Sequence, residues 1–133
     1  MGCNSAISGY NNAALALTPG SIIPLGTVNR RFGCNLNLSG NGLLVSGAGY
    51  YDIGANVTLT ATAAGVVTVA LFENGVQIPG AISQQTVAVG DVVTLPLRSL
   101  IRLQCCNSDS NVTVVLGGVV ATVNNISWVA EKV

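Results

Sequence analysis

The side chains able to do chemistry are few, and their spacing assembles no recognisable reaction centre. The chain contains no histidine, so the commonest general base and the commonest metal ligand are both missing. Lys132 is the only lysine and lies one residue from the end of the sequence, where chain termini usually fray. The carboxylates are Asp52, Glu73, Asp91, Asp109 and Glu131, and no two are near enough in sequence to form a visible acid–base pair. Gly47-Ala48-Gly49 and Gly117-Gly118 lack the Lys-Ser/Thr ending of a phosphate loop and a helix to follow it. They read as turns and bulges, and the chain is expected to be no enzyme and to carry no cofactor.

The four cysteines fare little better as a metal centre. Cys3, Cys34, Cys105 and Cys106 show no Cys-x-x-Cys spacing. The adjacent pair points to opposite faces if it lies in a strand, which opposes joint chelation of one zinc ion. No metal is therefore expected. A bridge from Cys34 to Cys105 or Cys106 stays open beside the alternative of buried, reduced thiols. In Asn107-Ser108-Asp109-Ser110-Asn111 a single carboxylate stands among neutral oxygens, too weak a set for calcium. The segment reads as a polar turn and, at Asn107, Asp109 and Asn111, as a contact loop.

The elements that must position these residues are bounded by composition. A chain of 133 residues and 13.4 kDa fits one domain spanning 1–133. Half of it is apolar and 8% is charged, against about 25% in an average soluble domain; mean hydropathy is +0.60. A monomer of this mass exposes on the order of 6,500 Å², and ten formal charges are few to keep such a surface soluble. Disorder is excluded by the apolar content. Zero net charge, with no basic stripe beyond Arg30-Arg31, argues against nucleic acid. Gly, Asn, Ser or Thr interrupts every apolar run before 18 residues, and aromatics are only 5%, which argues against membrane helices and an outer-membrane barrel. Met1–Ala6 shows neither a secretory signal nor a myristoylation pattern. The expectation is a soluble protein that hides apolar surface against copies of itself.

The pattern is β throughout. Val57–Ala63 alternates apolar residues with threonines, one face for a core and one for solvent. Val66–Phe72 is almost continuously apolar, as expected of a strand covered on both sides. Asn74-Gly75 then turns the chain into Val76–Ile78, because a type I′ hairpin turn needs two residues that tolerate positive φ; Pro79-Gly80 closes the segment. Substitution at Asn74 or Gly75 is expected to cost more than at Ser108 or Ser110. Further strands are predicted at Thr86–Val89, Val92–Leu97, Leu100–Cys105, Val112–Leu116, Val119–Val123 and Ile126–Ala130. Shorter ones are Ala13–Leu17, Ile22–Val28, Asn35–Leu38 and Leu43–Ser46, with a longer one starting at Tyr50. Residues 1–20 read as an extended arm or a first edge strand. About ten short strands imply a two-sheet antiparallel sandwich or jelly roll.

Gly49-Tyr50-Tyr51, then Val69–Gly75, then Val89–Leu95, in this order and spacing, resemble the tumour-necrosis-factor/complement-type (TNF-like) jelly roll. The sequence is similar in particular to small bacterial and phage members, including the C-terminal domain of the collagen-like glycoprotein of spore exosporia. The resemblance runs from about Asn11 to Val133 and takes in Pro19-Gly20, Arg31–Cys34 and the closing strand Ile126–Val133. It implies a ten-stranded jelly roll assembled as a trimer, with the strands starting at Tyr50, Asp91 and Ile126 in the inner sheet. The sequence departs from relatives in showing no collagen-like stalk and no dense acidic calcium loops.

Two functions follow as expectations. The first is a non-enzymatic structural homotrimer of a phage virion, a capsid decoration or head-fibre protein that contacts a capsid or other virion protein. The second is a recognition module on a bacterial cell or spore surface that binds a glycan or a protein receptor through loops such as Gly80–Gln85 and Asn107–Asn111. Tyr51, Val93, Leu95 and Trp128 are the candidates for core or trimer interface. Trp128 shares a face with Ile126 and Ala130, opposite Ser127, Val129 and Glu131, which favours burial. The four Asn-x-Ser/Thr sequons, at Asn37, Asn56, Asn111 and Asn125, are near chance frequency and decide nothing.

Overall fold

The computed structural model describes residues 5–33, 35–103 and 109–133. Among them there is no helix and there are twelve strands. These are β1 (Ala6–Asn11), β2 (Leu15–Leu17), β3 (Ile22–Ile23), β4 (Thr27–Phe32), β5 (Leu36–Ser39), β6 (Gly42–Ser46), β7 (Gly49–Ala61), β8 (Gly65–Glu73), β9 (Val76–Val87), β10 (Val92–Leu103), β11 (Asp109–Gly117) and β12 (Ala121–Lys132). They form two six-stranded antiparallel sheets. One runs β10-β7-β12-β1-β4 with β2 on β12, and the other β5-β6-β11-β8-β9 with β3 on β11. The strands that begin near Tyr50, Asp91 and Ile126 thus share one sheet.

One core fills the space between the sheets. Val57, Leu59 and Ala61 of β7 face it, while Thr58 and Thr60 point out, the period-2 division that the alternating sequence requires. Ile126, Trp128 and Ala130 enter from β12, and Val67, Val69 and Leu71 enter from the opposite sheet. The chain exposes 6647 Å².

Several sequence expectations change here. Residues 1–20 hold two strands, and β1 is paired with β12 on one side and β4 on the other, so it is interior to its sheet. Val66–Phe72 is fully covered on one face and only partly on the other, where Val66 is exposed, Thr68 and Phe72 are half-buried and Ala70 is buried. Pro79-Gly80 does not end a strand. β9 continues to Val87 through a bulge, where Phe72 pairs with Gln77 and Ala70 with Ile82; an edge strand tolerates such a proline because its outer side has no ladder partner. Val92–Leu97 and Leu100–Leu103 are parts of one edge strand, continuous through Arg98-Ser99; the rest of the expected Leu100–Cys105 strand lies outside the described residues. Ala121–Val123 and Ile126–Ala130 are likewise one strand, with the register shift falling between Val123 and Asn125, while Val119 and Val120 of the expected Val119–Val123 strand precede it. Lys132 is paired: its backbone N–H donates to Ser5 O at 2.9 Å.

At the end of the sandwich where Ser5 and Val133 lie, partly buried polar contacts tie the two sheets together. The Tyr51 ring is fully buried, and its hydroxyl donates toward the carbonyls of Ser46 (2.8 Å) and Gly47 (2.9 Å). Asn35 Nδ2 donates to Ser46 O at 2.7 Å, and the Asn35 backbone N–H donates to Ser5 Oγ at 3.1 Å. Burial pushes the Tyr51 phenol above the ordinary tyrosine range, opposed in part by Asn35.

Candidate functional site

The surface best suited to a function is the outer face of the sheet containing β7. Every second residue of its long strands points away from the core, and the register stacks these residues in transverse rows. One row reads Arg98, Gly54, Val129, Ser8, Arg30 across β10, β7, β12, β1 and β4. The next reads Leu100, Asp52, Glu131, Ala6, Phe32. A side-chain-free position at Gly54 leaves the middle low, and a groove of about 740 Å³ opens there. Tyr10, Pro96, Arg98 and Val129 stand along it.

Charge in the groove is uneven. Asp52 and Glu131 face each other directly across β7 and β12, an arrangement in which like charges repel. Arg98 answers Asp52 with a two-pronged contact, Nη2 to Oδ2 at 2.7 Å and Nε to Oδ1 at 3.2 Å. The Arg98 side chain is 79% exposed and Asp52 21%, so the guanidinium stands above the groove and the carboxylate sits inside it. The hydrogen bond and charge of Asp52 shift the Arg98 pKa upward, with a smaller contribution from Glu131. This is the only ion pair among the described residues. Arg102 lies over the Tyr50 ring, 5.8 Å from its centroid. Away from the charges the face is neutral and hydroxyl-rich. Thr58 and Thr94 share a hydrogen bond at 3.0 Å, and Asn124 Nδ2 donates to Thr60 at 2.8 Å.

Of the residues singled out from sequence only Trp128 borders the groove. Tyr51, Leu95 and Trp128 are buried in the core of the chain, and Val93 packs partly buried against the same core. Trp128 is 4% exposed and donates from Nε1 to Leu25 O at 2.8 Å. Asn74 and Gly75 form the hairpin turn with φ of 53° and 84°, both positive as a type I′ turn requires. That turn is also clamped to β11: Asn111 N–H donates to Asn74 Oδ1 at 2.9 Å, and Asn74 N–H donates to Asn111 O at 2.8 Å.

Asp109 and Asn111 therefore belong to a strand and not to a loop, because this clamp and the Asp109–Ser46 pairing extend β11 to its first residue. Ser110, expected to be a tolerant position, is buried and donates to Glu73 Oε2 at 2.7 Å. Gly80–Gln85 is likewise part of β9. Asn107, Ser108 and the four cysteines, with the disulfide and thiol readings, lie outside the described residues. The Asp52–Glu131–Arg98 group was missed because its members are far apart in sequence. Its one signal was the alternation that puts Asp52 and Glu131 on the polar faces of their strands.

No protein-family model and no curated protein matches the sequence. Solved structures do match over the whole chain. The Eiger TNF of S. frugiperda superposes with a TM-score of 0.72 at 8% identity, covering 100% of this chain and 94% of that one. The globular domain of zebrafish complement 1qA gives 0.68 at 9% identity, covering 96% and 94%. The fold is the TNF-like jelly roll. The PRD1 vertex protein P5 has the same jelly roll, with a TM-score of 0.69 at 15% identity and coverage of 100% and 99%. Within this TNF-like jelly roll the grooved sheet has the path β10-β7-β12-β1-β4 and holds together the strands near Tyr50, Asp91 and Ile126.

Proposed function

We propose that the chain is a non-enzymatic structural protein that works as a homotrimer, with the grooved face of the β7 sheet turned toward the three-fold axis. The observation that carries this reading is the exposed apolar content of a nearly uncharged surface. Leu100, Val92 and Val129 of that face are each more than half exposed in the single protomer, on a chain with ten formal charges. Such patches mark surfaces that are covered in the working state. These residues lie on β10 and β12, which are among the longest strands of the face.

The finer reading is a virion component, a capsid decoration or head-fibre protein seated on a capsid or other virion protein. It is supported by the small TNF-like module and by the likeness to a protein described as a vertex protein. Mass spectrometry of purified particles from the source tests it. The chain should be present at a fixed ratio to the major capsid protein. Its absence from particles and recovery from a cell or spore envelope would contradict the virion role and leave the fold and trimer untouched.

A second reading, a glycan-recognition module, is favoured by one observation. The groove combines a half-exposed Tyr10 with amide, hydroxyl and carboxylate groups at Asn29, Asn56, Ser127 and Asp52, the mix that packs on and hydrogen-bonds a sugar ring. The two readings compete for the same face, so a glycan-array screen beside the particle measurement separates them.

A further inference from the structure

We propose that the acidic groove of one copy receives the β10 ridge of the next, with Arg102 of one protomer paired to Glu131 of its neighbour. This rests on the trimer reading above and names the residues that fix its register. The groove holds two carboxylates, Asp52 and Glu131, directly opposite each other, and one guanidinium, Arg98, whose hydrogen bonds go to Asp52. Glu131 has no ion-pair partner among the described residues, so the groove carries a surplus negative charge. Covering it with an apolar surface would leave that carboxylate desolvated and unpaired, at considerable cost. A neighbour must therefore bring a cation.

The same face supplies one. On β10, Arg98, Leu100 and Arg102 project from alternate positions along the sheet edge. Leu100 is 58% exposed, and Arg102 rests on Tyr50 with no carboxylate partner among the described residues. The edge is thus a raised strip, apolar in the middle and cationic at its end. Within one protomer Arg102 stands opposite Tyr50, a row beyond Asp52 and two strands from Glu131. Asp52, on the strand between Arg102 and its own Glu131, is already held by Arg98. A ridge with surplus positive charge beside a groove with surplus negative charge makes the surface complementary to a second copy of itself. Cyclic, head-to-tail contacts join two different patches of one chain in this way. Arg102 gives up only a weak exposed stacking contact in the exchange.

Charge reversal tests the pairing. The full chain is prepared as wild type, Glu131→Arg, Arg102→Glu and the double reversal, and the trimer dissociation constant is measured by sedimentation equilibrium. Each single reversal should raise that constant about ten-fold or more, since like charges then meet across the contact, and the double variant should recover most of the loss. Singles that match the wild type, or a double variant as weak as the worse single, would overturn the pairing. A wild type that is monomeric at micromolar concentration would instead overturn the trimer reading, so the two failures are distinguishable. Both side chains are exposed in the protomer, and circular dichroism checks folding. If a reversal does not fold, Glu131→Gln takes its place: it should weaken the trimer and lessen its salt dependence, and unchanged affinity and salt dependence would count against the pair.

Discussion

Gly9 lies flat against the indole of Trp128. The two residues are direct cross-strand partners on β1 and β12, and a Cβ built on Gly9 would fall 2.3 Å from Cζ2 of the ring and 2.4 Å from the Thr27 carbonyl. The missing side chain lets the indole reach beyond β1 and donate to Leu25 O. The largest side chain of the core thus couples β12, β1 and the segment leading into β4.

Gly9→Ala should therefore destabilise the protomer although it adds one methyl group. The strand cannot yield without breaking its ladder, and overpacking at such a site costs about 1–3 kcal/mol. A melting temperature lowered by several degrees is expected from a thermal scan; an unchanged one would mean the indole is not held there.

Trp128 itself should emit as a buried indole. With 4% exposure its emission should be blue-shifted and resistant to acrylamide, and both properties should persist in a dissociated but folded protomer. Burial between the sheets does not need the neighbouring copies, whereas an interface residue would become quenchable on dissociation.

The hairpin turn makes a third test. Gly75→Val places a β-branched residue at a φ of 84° and should cost roughly 1–3 kcal/mol. Asn74→Ala removes the acceptor for the Asn111 N–H and should cost about 1 kcal/mol. Ser110→Ala belongs with them, since it strips a buried donor from Glu73. Denaturant midpoints measure all three, and the three losses should not be additive because the residues share one network.

Alkaline pH should unfold the protein partly through Tyr51. Its folded pKa is raised by burial, so the folded state favours the neutral phenol. The resulting stabilisation is fully present below the unfolded tyrosine value of about 10 and is lost as pH rises through the folded value. Tyr51→Phe should lower stability at neutral pH by about 1 kcal/mol through the lost hydrogen bond. It should also flatten the decline of stability above pH ~10. A decline of wild-type steepness in the variant would assign it to other groups.

Much of the architecture could be read from local sequence because it is written in strict alternation. Val57–Ala63 and Ile126–Ala130 announce both their strand character and their buried face, and Asn74-Gly75 announces its turn. Strand β1 could not be read in that way. Its buried positions are Ile7 and Gly9, with Ser5 buried just before it, one large apolar residue among three, and Gly9 acquires its meaning only from Trp128 at the far end of the chain. The continuity of β9 and β12 was hidden by Pro79-Gly80 and Asn124-Asn125, which are turn signals locally but bulge or edge residues once a neighbouring strand fixes the backbone; that of β10 was hidden by the polar pair Arg98-Ser99, which the ladder to β7 carries through. The groove was hidden for a related reason. Asp52, Arg98 and Glu131 meet through strand order, which no single segment encodes.

The central claim, that the grooved face is covered by two further copies of the chain, is tested most directly by light scattering coupled to size exclusion at micromolar concentration. The account predicts a single species at three times the chain mass of 13.4 kDa, which falls apart when Val129 on the groove wall is changed to Asp while the separated protomers keep a buried Trp128. A wild type that elutes as one chain would contradict it, as would a trimer indifferent to that substitution.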